Sequence, residues 1–401
     1  MTGAPGPQSR WFDDLVIVPF TDLIESQHGG HEHRGGPLWP AWERQLEPRY
    51  LRGNQPQDVE PAPLLPSETL EGEIAWGGPM TRHFGRQLAD FSMRLVPTVA
   101  TRPDIDIVFA THPRFRLESF DDVPAWFRQV LDWIGVAEDR RRLLVRPTRV
   151  RSLLVAPQAE QNLGPGPSSA HLDAMDAISE RHLGDRARGG GVVYISRAGM
   201  HARFAGEAAV EAAMARAGAR VIRPETASVI EQLTVYSSAD ALLFAEGSAV
   251  HGCRLLGRSL GDIVIIERRP GNRIDEPSLR PRASAVEYVD HVAGIVHGAT
   301  PSGRDFIATG LAVLDGPSLV EGLTPWLPSL RDAWDETAYR RERDADVLAW
   351  VDRTLQATVS NGLRSRDRIG ETLEETGLGH LRMAVTALMN ERPPAPSSGG
   401  R

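Results

Sequence analysis

Four short apolar runs, at 192–195, 219–222, 241–245 and 263–266, are separated by stretches of helical pattern, and no other feature of the chain restricts its fold so strongly. A run that is apolar at nearly every position suits a strand buried on both faces, and strands alternating with helices build a parallel sheet. Open parallel sheets bind ligands outside the carboxyl ends of their strands. Those ends here read Ser196-Arg197, Pro224-Glu225 and Glu246-Gly247-Ser248, with His251 on the turn that follows. The pattern predicts one half of a nucleotide-type binding enzyme.

The same alternation is legible upstream. Residues 15–18 read as a strand, as do 105–110, 142–145 and 152–155, and 123–134 as a helix stopped by Gly135. Phe84, Leu88, Phe91 and Leu95 fall at i, i+4, i+7 and i+11, which predicts one amphipathic helix over 81–96. His83, Gln87, Asp90 and Arg94 repeat beside that stripe, so the helix should carry a polar flank bordering a cleft. Ser228 and Glu231 have the spacing of a capping box. The expected organisation is an irregular segment at 1–67, a Rossmann-like unit at 68–160 that takes in the strand at 15–18, and a second Rossmann-like unit at 170–300. A Gly- and Pro-rich linker joins the two, a helical extension covers 319–390, and 391–401 is a disordered tail by composition.

Composition narrows the function classes. A net charge of -8 and a pI near 5.9 argue against nonspecific nucleic-acid binding, which needs a basic footprint. All 45 basic residues are arginine, so a P-loop lysine, a Schiff base and a lysine general base are excluded. With so many arginines, two near a phosphate site carry little weight alone. No apolar run approaches the roughly 18 to 20 residues of a membrane span. The first twenty residues lack the basic end and apolar core of a secretory signal, and Cys253 stands alone, so a cytoplasmic location is expected.

Among groups that could carry chemistry, the Glu246-Gly247-Ser248 turn can bring backbone amides to a phosphate at a helix start, or simply cap that helix. Arg197 and Arg203 suit a diphosphate, although Arg203 with Glu207 is also an ordinary helical ion pair. Glu225 can accept from a ribose hydroxyl. His28, His31 and His33 have ligand spacing but sit among glycines, and Asp104-Ile105-Asp106 opens a strand instead of following one, so no metal site is expected. Neither a G-x-G-x-x-G at a strand end nor a G-x-x-x-x-G-K occurs.

The run Tyr194-Ile195-Ser196-Arg197, Arg203, Glu207, Gly218, Pro224-Glu225, Glu231-Gln232, Ala239-Asp240 and Gly247-Ser248-Ala249 resembles glycosyltransferase family 61, often described as capsular polysaccharide biosynthesis proteins. Gly77-Gly78-Pro79 and His83-Phe84-Gly85 look like that family's N-terminal signature. Gly206, Glu246-Gly247-Ser248 and Arg86 depart from its usual residues. The resemblance implies a GT-B architecture, two Rossmann-like domains facing a cleft, and an inverting transfer from a nucleotide-sugar donor, expected to be UDP-linked, to a glycan or other hydroxyl acceptor, without metal or other cofactor. It also implies peripheral association with membrane-bound polysaccharide machinery. His83 or Asp90 is then the expected catalytic base, and Ser196, Arg197, Arg203, Glu207, Glu225, Glu246, Gly247, Ser248 and His251 the donor-binding set. A nucleotide-sugar epimerase of the same architecture, or an inactive scaffold, would share these features.

Overall fold

Strand β1 (Arg10–Asp22) contains the expected run at 15–18, and the chain continues through β2 (His33–Pro37), a tight hairpin of β3 (Leu51–Arg52) and β4 (Gln55–Pro56), and β5 (Asp58–Val59). Then come β6 (Glu68–Met80), β7 (Asp106–Thr111), β8 (Arg141–Leu144) and β9 (Thr148–Val155). Seven of these form one sheet in the order β5-β2-β1-β9-β6-β7-β8. The computed structural model describes residues 8–22, 33–184, 189–300, 303–356 and 363–391, and its class is mixed α/β with parallel sheets. The first sheet is parallel across β9, β6, β7 and β8 and again between β2 and β5. β1 runs antiparallel to both β2 and β9, which an all-parallel Rossmann-like unit would not allow.

Central strand β6 carries the sequence signature Gly77-Gly78-Pro79 in its second half, where two glycines and a proline hide the strand from a propensity reading. The tertiary contacts explain them. A Cβ on Gly77 would lie 2.6 Å from Ile107 and 2.7 Å from Phe109 on the neighbouring strand. Gly78 has φ 112°, and a side chain there would strike the Tyr50 hydroxyl. The pairing with β7 slips between Trp76 and Gly78, so the pair marks a bulge that bends the strand toward the loop after Met80.

The helix expected at 81–96 is broken in three. Helix α1 (Phe84–Arg86) passes into a π-helical turn over Gln87–Phe91, closed by the Ser92 amide donating to the Gln87 carbonyl, and α2 (Leu95–Thr101) starts afresh. Leu88, Phe91 and Leu95 are buried as the stripe required, and Phe84 is half-buried against Trp126. The supposed polar flank supplies the reason for the break. Gln87 is enclosed and accepts from the Thr81 amide at 2.9 Å, and fully buried Arg94 donates to the carbonyls of Ala156, Glu47 and Arg49. Buried polar groups must be satisfied, and these partners lie on other segments, so the backbone bends to meet them.

Helix α3 (Ala125–Ile134) stops as expected at Gly135, left-handed at φ 96°, and α4 (Ser169–Leu183) starts at an N-capping Ser168. The second sheet follows: β10 (Val192–Ile195), α5 (Glu207–Arg216), β11 (Arg220–Ile222), α6 (Val229–Ser238), β12 (Ala241–Ala245), a 3-10 helix over Ser248–Leu255, β13 (Leu260–Ile266) and β14 (Ala283–Val289). All five strands are parallel in the order β11-β10-β12-β13-β14, and the Ser228 and Glu231 capping box is formed. An antiparallel pair, β15 (Val292–Val296) and β16 (Leu311–Leu314), interrupts the C-terminal part before helices at Gly316–Leu323, Glu336–Gln356, Leu363–Glu375 and Arg382–Glu391. The expected tail beyond 391 lies outside the described residues, and no described helix is long and apolar enough to cross a membrane. One buried cluster runs from Trp76 and Phe109 in the first sheet to Leu242 and Ile263 in the second. Polar ties cross the same junction: Trp133 Nε1 donates to the Leu255 carbonyl at 2.8 Å, and the Val229 amide to Gln129 Oε1 at 2.8 Å.

Candidate active site

Strand order in the second sheet reverses between β10 and β12, since the chain leaves β10 for β11 on one side and β12 for β13 on the other. Outside the carboxyl ends of such a pair the two connections diverge and leave a crevice. A pocket of about 480 Å³ occupies it, lined from the second sheet by Arg197, Gly247, Ser248, His251, Arg268, Arg269, Asn272 and Asp275. The first sheet contributes His83, Gly85, Arg86 and Asp90, and the β3–β4 hairpin contributes Arg52.

Two buried glutamates shape the second-sheet wall from behind. Glu207, the first residue of α5, accepts from the Tyr194 and Ser196 hydroxyls and from the amides of Arg197 and Phe204, which fixes the course of the loop after β10. Burial raises its pKa, against the amide donors of Arg197 and Phe204 that lower it. Glu246 accepts from the amides of Arg268 and Arg269, the Arg269 guanidinium and the Asn272 side chain, and so organises the loop after β13. Within this frame Arg197 donates to the Ala202 carbonyl and leans on Gly247. Arg268 is enclosed and donates to the Gly310 carbonyl, and burial together with the adjacent Arg269 brings its pKa down to about 10.

The first-sheet wall meets the second at Gly85. A Cβ there would lie 2.8 Å from the Ser248 Cβ and 3.0 Å from His251, so only glycine lets α1 rest on the 3-10 helix. His83 caps α1: its Nδ1 accepts from the Arg86 amide at 3.1 Å. That bond consumes the Nδ1 lone pair, so the neutral ring carries its proton on Nε2 and acts there as a donor. Surrounding protein, then Arg86 and His251, lower the His83 pKa and favour the neutral ring. Asp90 is buried and ion-paired with Arg86 at 3.1 Å.

His251 has the opposite tautomer. Its Nδ1 lies 2.9 Å from Asp275 Oδ2, and because that carboxylate can only accept, Nδ1 carries a proton, and in the neutral ring Nε2 keeps a lone pair. Burial opposes the charge on Asp275, but Arg254 and His251 outweigh it and hold the carboxyl well below the usual carboxylate range. Behind Asp275 the charges continue inward: Arg254 is paired with Asp275 and lies 3.7 Å from Glu160, and Glu160 accepts two bonds of 2.9 Å from Arg282. All four side chains are buried. A histidine oriented by a buried carboxylate is the arrangement that serves general-base catalysis.

Residues 79–259 match the glycosyltransferase 61 family. The match supports glycosyltransferase activity, and with it a donor sugar and an acceptor. No curated protein matches the chain.

The matched region brings His83, Asp90, Arg197, Gly247, Ser248 and His251 of the sequence-derived set to one pocket. Ser196, Glu207 and Glu246 stand behind its wall and hold the loops described above. Arg203 points elsewhere, paired with Asp346 at 2.7 Å, and exposed Glu225 lies beside Gly199. Gly206 sits at φ 75° with its amide donating to the same Asp346, which explains a glycine ahead of α5. Sequence reasoning missed Arg268 and Arg269, although they follow the end of β13 after one intervening residue and the strand-end rule would have found them. Arg52, Asn272 and Asp275 had no such signal. Asp106 is paired with Arg140 and Arg142 and lies level with Ile74, at the end of the β6–β7 pairing away from Met80. His28 and His31 lie outside the described residues, His33 packs edge-on against Phe91, and no metal-ligating cluster occurs among the described residues.

Proposed function

We propose that the protein transfers a sugar, with inversion, from a nucleotide-sugar donor to a hydroxyl of a glycan acceptor, in a GT-B-type cleft between its two sheets, as a step in surface polysaccharide synthesis. The observation that carries the reading is the convergence of Arg197, Arg268 and the Gly247-Ser248 helix start on the crevice at the reversal of strand order. The first amides of a helix have no intrahelical partner and face anions favourably, and guanidinium groups complement a diphosphate. The donor half of the reaction then needs no metal to stabilise its leaving group.

Inverting transfer requires a base for the acceptor proton. His251 is better placed for that role than His83 or Asp90, because Asp275 leaves its Nε2 free to accept, whereas His83 spends Nδ1 on a backbone amide and Asp90 is tied to Arg86. His83 serves instead as a donor to the transferred sugar or the phosphate. The pocket carboxylates, Asp90 and Asp275, are both held by arginines, which weighs against an epimerase built on free carboxylates around the sugar.

Calorimetric titration of UDP and UDP-sugars tests the reading. A ligand at about 100 times its Kd should also raise stability by about 2.7 kcal/mol. Failure of uridine, guanosine and thymidine diphosphates alike to bind would overturn it.

A further inference from the structure

The pocket holds more positive charge than a donor diphosphate uses, and the surplus is separate from the diphosphate set. Of its five arginines, Arg86 is paired with Asp90 and Arg269 with Glu246. Arg52, Arg197 and Arg268 have no carboxylate within ion-pair distance among the described residues. Besides burial, Glu207, Glu246, Arg269 and Glu225 act on Arg197, and Arg269, Glu246, Arg197 and Glu207 on Arg268, all on the second-sheet side. Those acting on Arg52 are Asp90 and Arg86, on the first-sheet side. A nucleotide-sugar diphosphate carries one charge on each phosphate, which Arg197 and Arg268 match one for one. Arg52 is left over.

Its placement is built. The hairpin turns through Gly53 and Asn54 at φ 56° and 62°, a left-handed pair suited to a two-residue hairpin turn. Three bonds clamp it to the connector at 158–163: the Leu51 amide to Gln158 Oε1 at 2.8 Å, the Gly53 amide to the Asn162 carbonyl at 3.0 Å, and the Asn54 amide to Gln161 Oε1 at 2.9 Å. Asn162 and Leu163 themselves line the pocket. Arg52 is half-buried there, and its Nε is enclosed without a hydrogen-bond partner. Withdrawing a guanidinium from water without a partner is costly, and an incoming anion relieves that cost.

We propose that Arg52 recognises an anionic group on the acceptor, so that the acceptor is a glycan bearing a carboxylate or a phosphate monoester. The inference rests on the transfer reading above. The planar fork of arginine suits either anion.

The test is calorimetry on the UDP-loaded protein with oligogalacturonate against a neutral galactose oligomer, and with glucose 6-phosphate against glucose. The acidic member of one pair should bind at least about tenfold more tightly, the scale of a charged hydrogen bond. Arg52→Ala should erase that difference and Arg52→Lys keep part of it, while UDP affinity stays unchanged and the melting temperature does not fall. The pair that discriminates identifies carboxylate or phosphate. Equal binding of acidic and neutral members overturns the proposal. So does a loss of UDP affinity in Arg52→Ala, which would make Arg52 a diphosphate residue, or a loss confined to UDP-glucuronate against UDP-glucose, which would put the acid on the donor. If none of uridine, guanosine and thymidine diphosphate binds the unmodified protein, the transfer reading falls, and the same titrations on unloaded protein still decide whether Arg52 selects acids.

Discussion

Replacing Glu160 with glutamine should remove about 3–5 kcal/mol of stability. The exchange keeps volume, so no cavity forms; it removes the charge and turns one of the two oxygens that accept from Arg282 into a donor. In the unmodified protein the buried row of Asp275, Arg254, Glu160 and Arg282 alternates in sign and sums to zero. Glutamine leaves one positive charge uncompensated between Arg254 and Arg282. At an effective dielectric of about 20, one charge pair near 4 Å is worth about 4 kcal/mol, and part of the loss is recovered because an amide oxygen still accepts from Arg282. Against a typical total of about 5–15 kcal/mol this is a large fraction. Urea unfolding followed by tryptophan fluorescence reads it as a lower midpoint. Adding Arg282→Met restores neutrality and should recover at least half of the loss. A single-variant loss below about 1 kcal/mol, or a double variant no more stable than the single, would refute the view that charge balance holds this row together.

Arg197→Ala should weaken nucleotide diphosphate binding by roughly tenfold or more, and unchanged affinity in a titration would remove Arg197 from the donor site. His251→Ala should lower turnover by about a hundredfold or more with donor binding close to normal, whereas His83→Ala should weaken donor binding. The His171 pKa is pushed down to about 4 by burial despite Glu160 nearby. The unfolded chain therefore binds a proton between pH ~6.5 and ~4 that the folded protein does not, and stability falls across that window as pH drops, by up to about 3 kcal/mol. His171→Gln should flatten that part of the curve, and an unaltered slope would assign it to other groups. Gly78→Ala combines a left-handed backbone with a collision at Tyr50 and should cost more than about 2 kcal/mol in the same unfolding assay.

The second sheet was legible because its signals are local. Ile263 to Ile266 are apolar in succession, Ser228 and Glu231 cap α6, and Gly135 stops α3, each within a few residues of the element it defines. The strand-end rule then led to Arg197, Gly247, Ser248 and His251, since a parallel sheet brings all its carboxyl ends to one edge. The same logic failed where the deciding partner is distant in sequence. Gln87 and Arg94 looked like a helix flank, and only the carbonyls of Glu47, Arg49 and Ala156 turn them inward and break the helix. Gly77 and Gly78 looked like breakers, and only Phe109 and Tyr50 make them necessary in β6. The chemistry divides in the same way. The sequence by itself pointed to two of the strand ends at the crevice, Arg197 and Gly247-Ser248, and determined that its guanidinium or ammonium cations are all arginines. The tertiary structure decided the tautomers of His83 and His251, through an amide and through Asp275, and placed Arg52 at the pocket, because hydrogen-bond partners and buried charge are set by contacts between remote segments and not by periodicity.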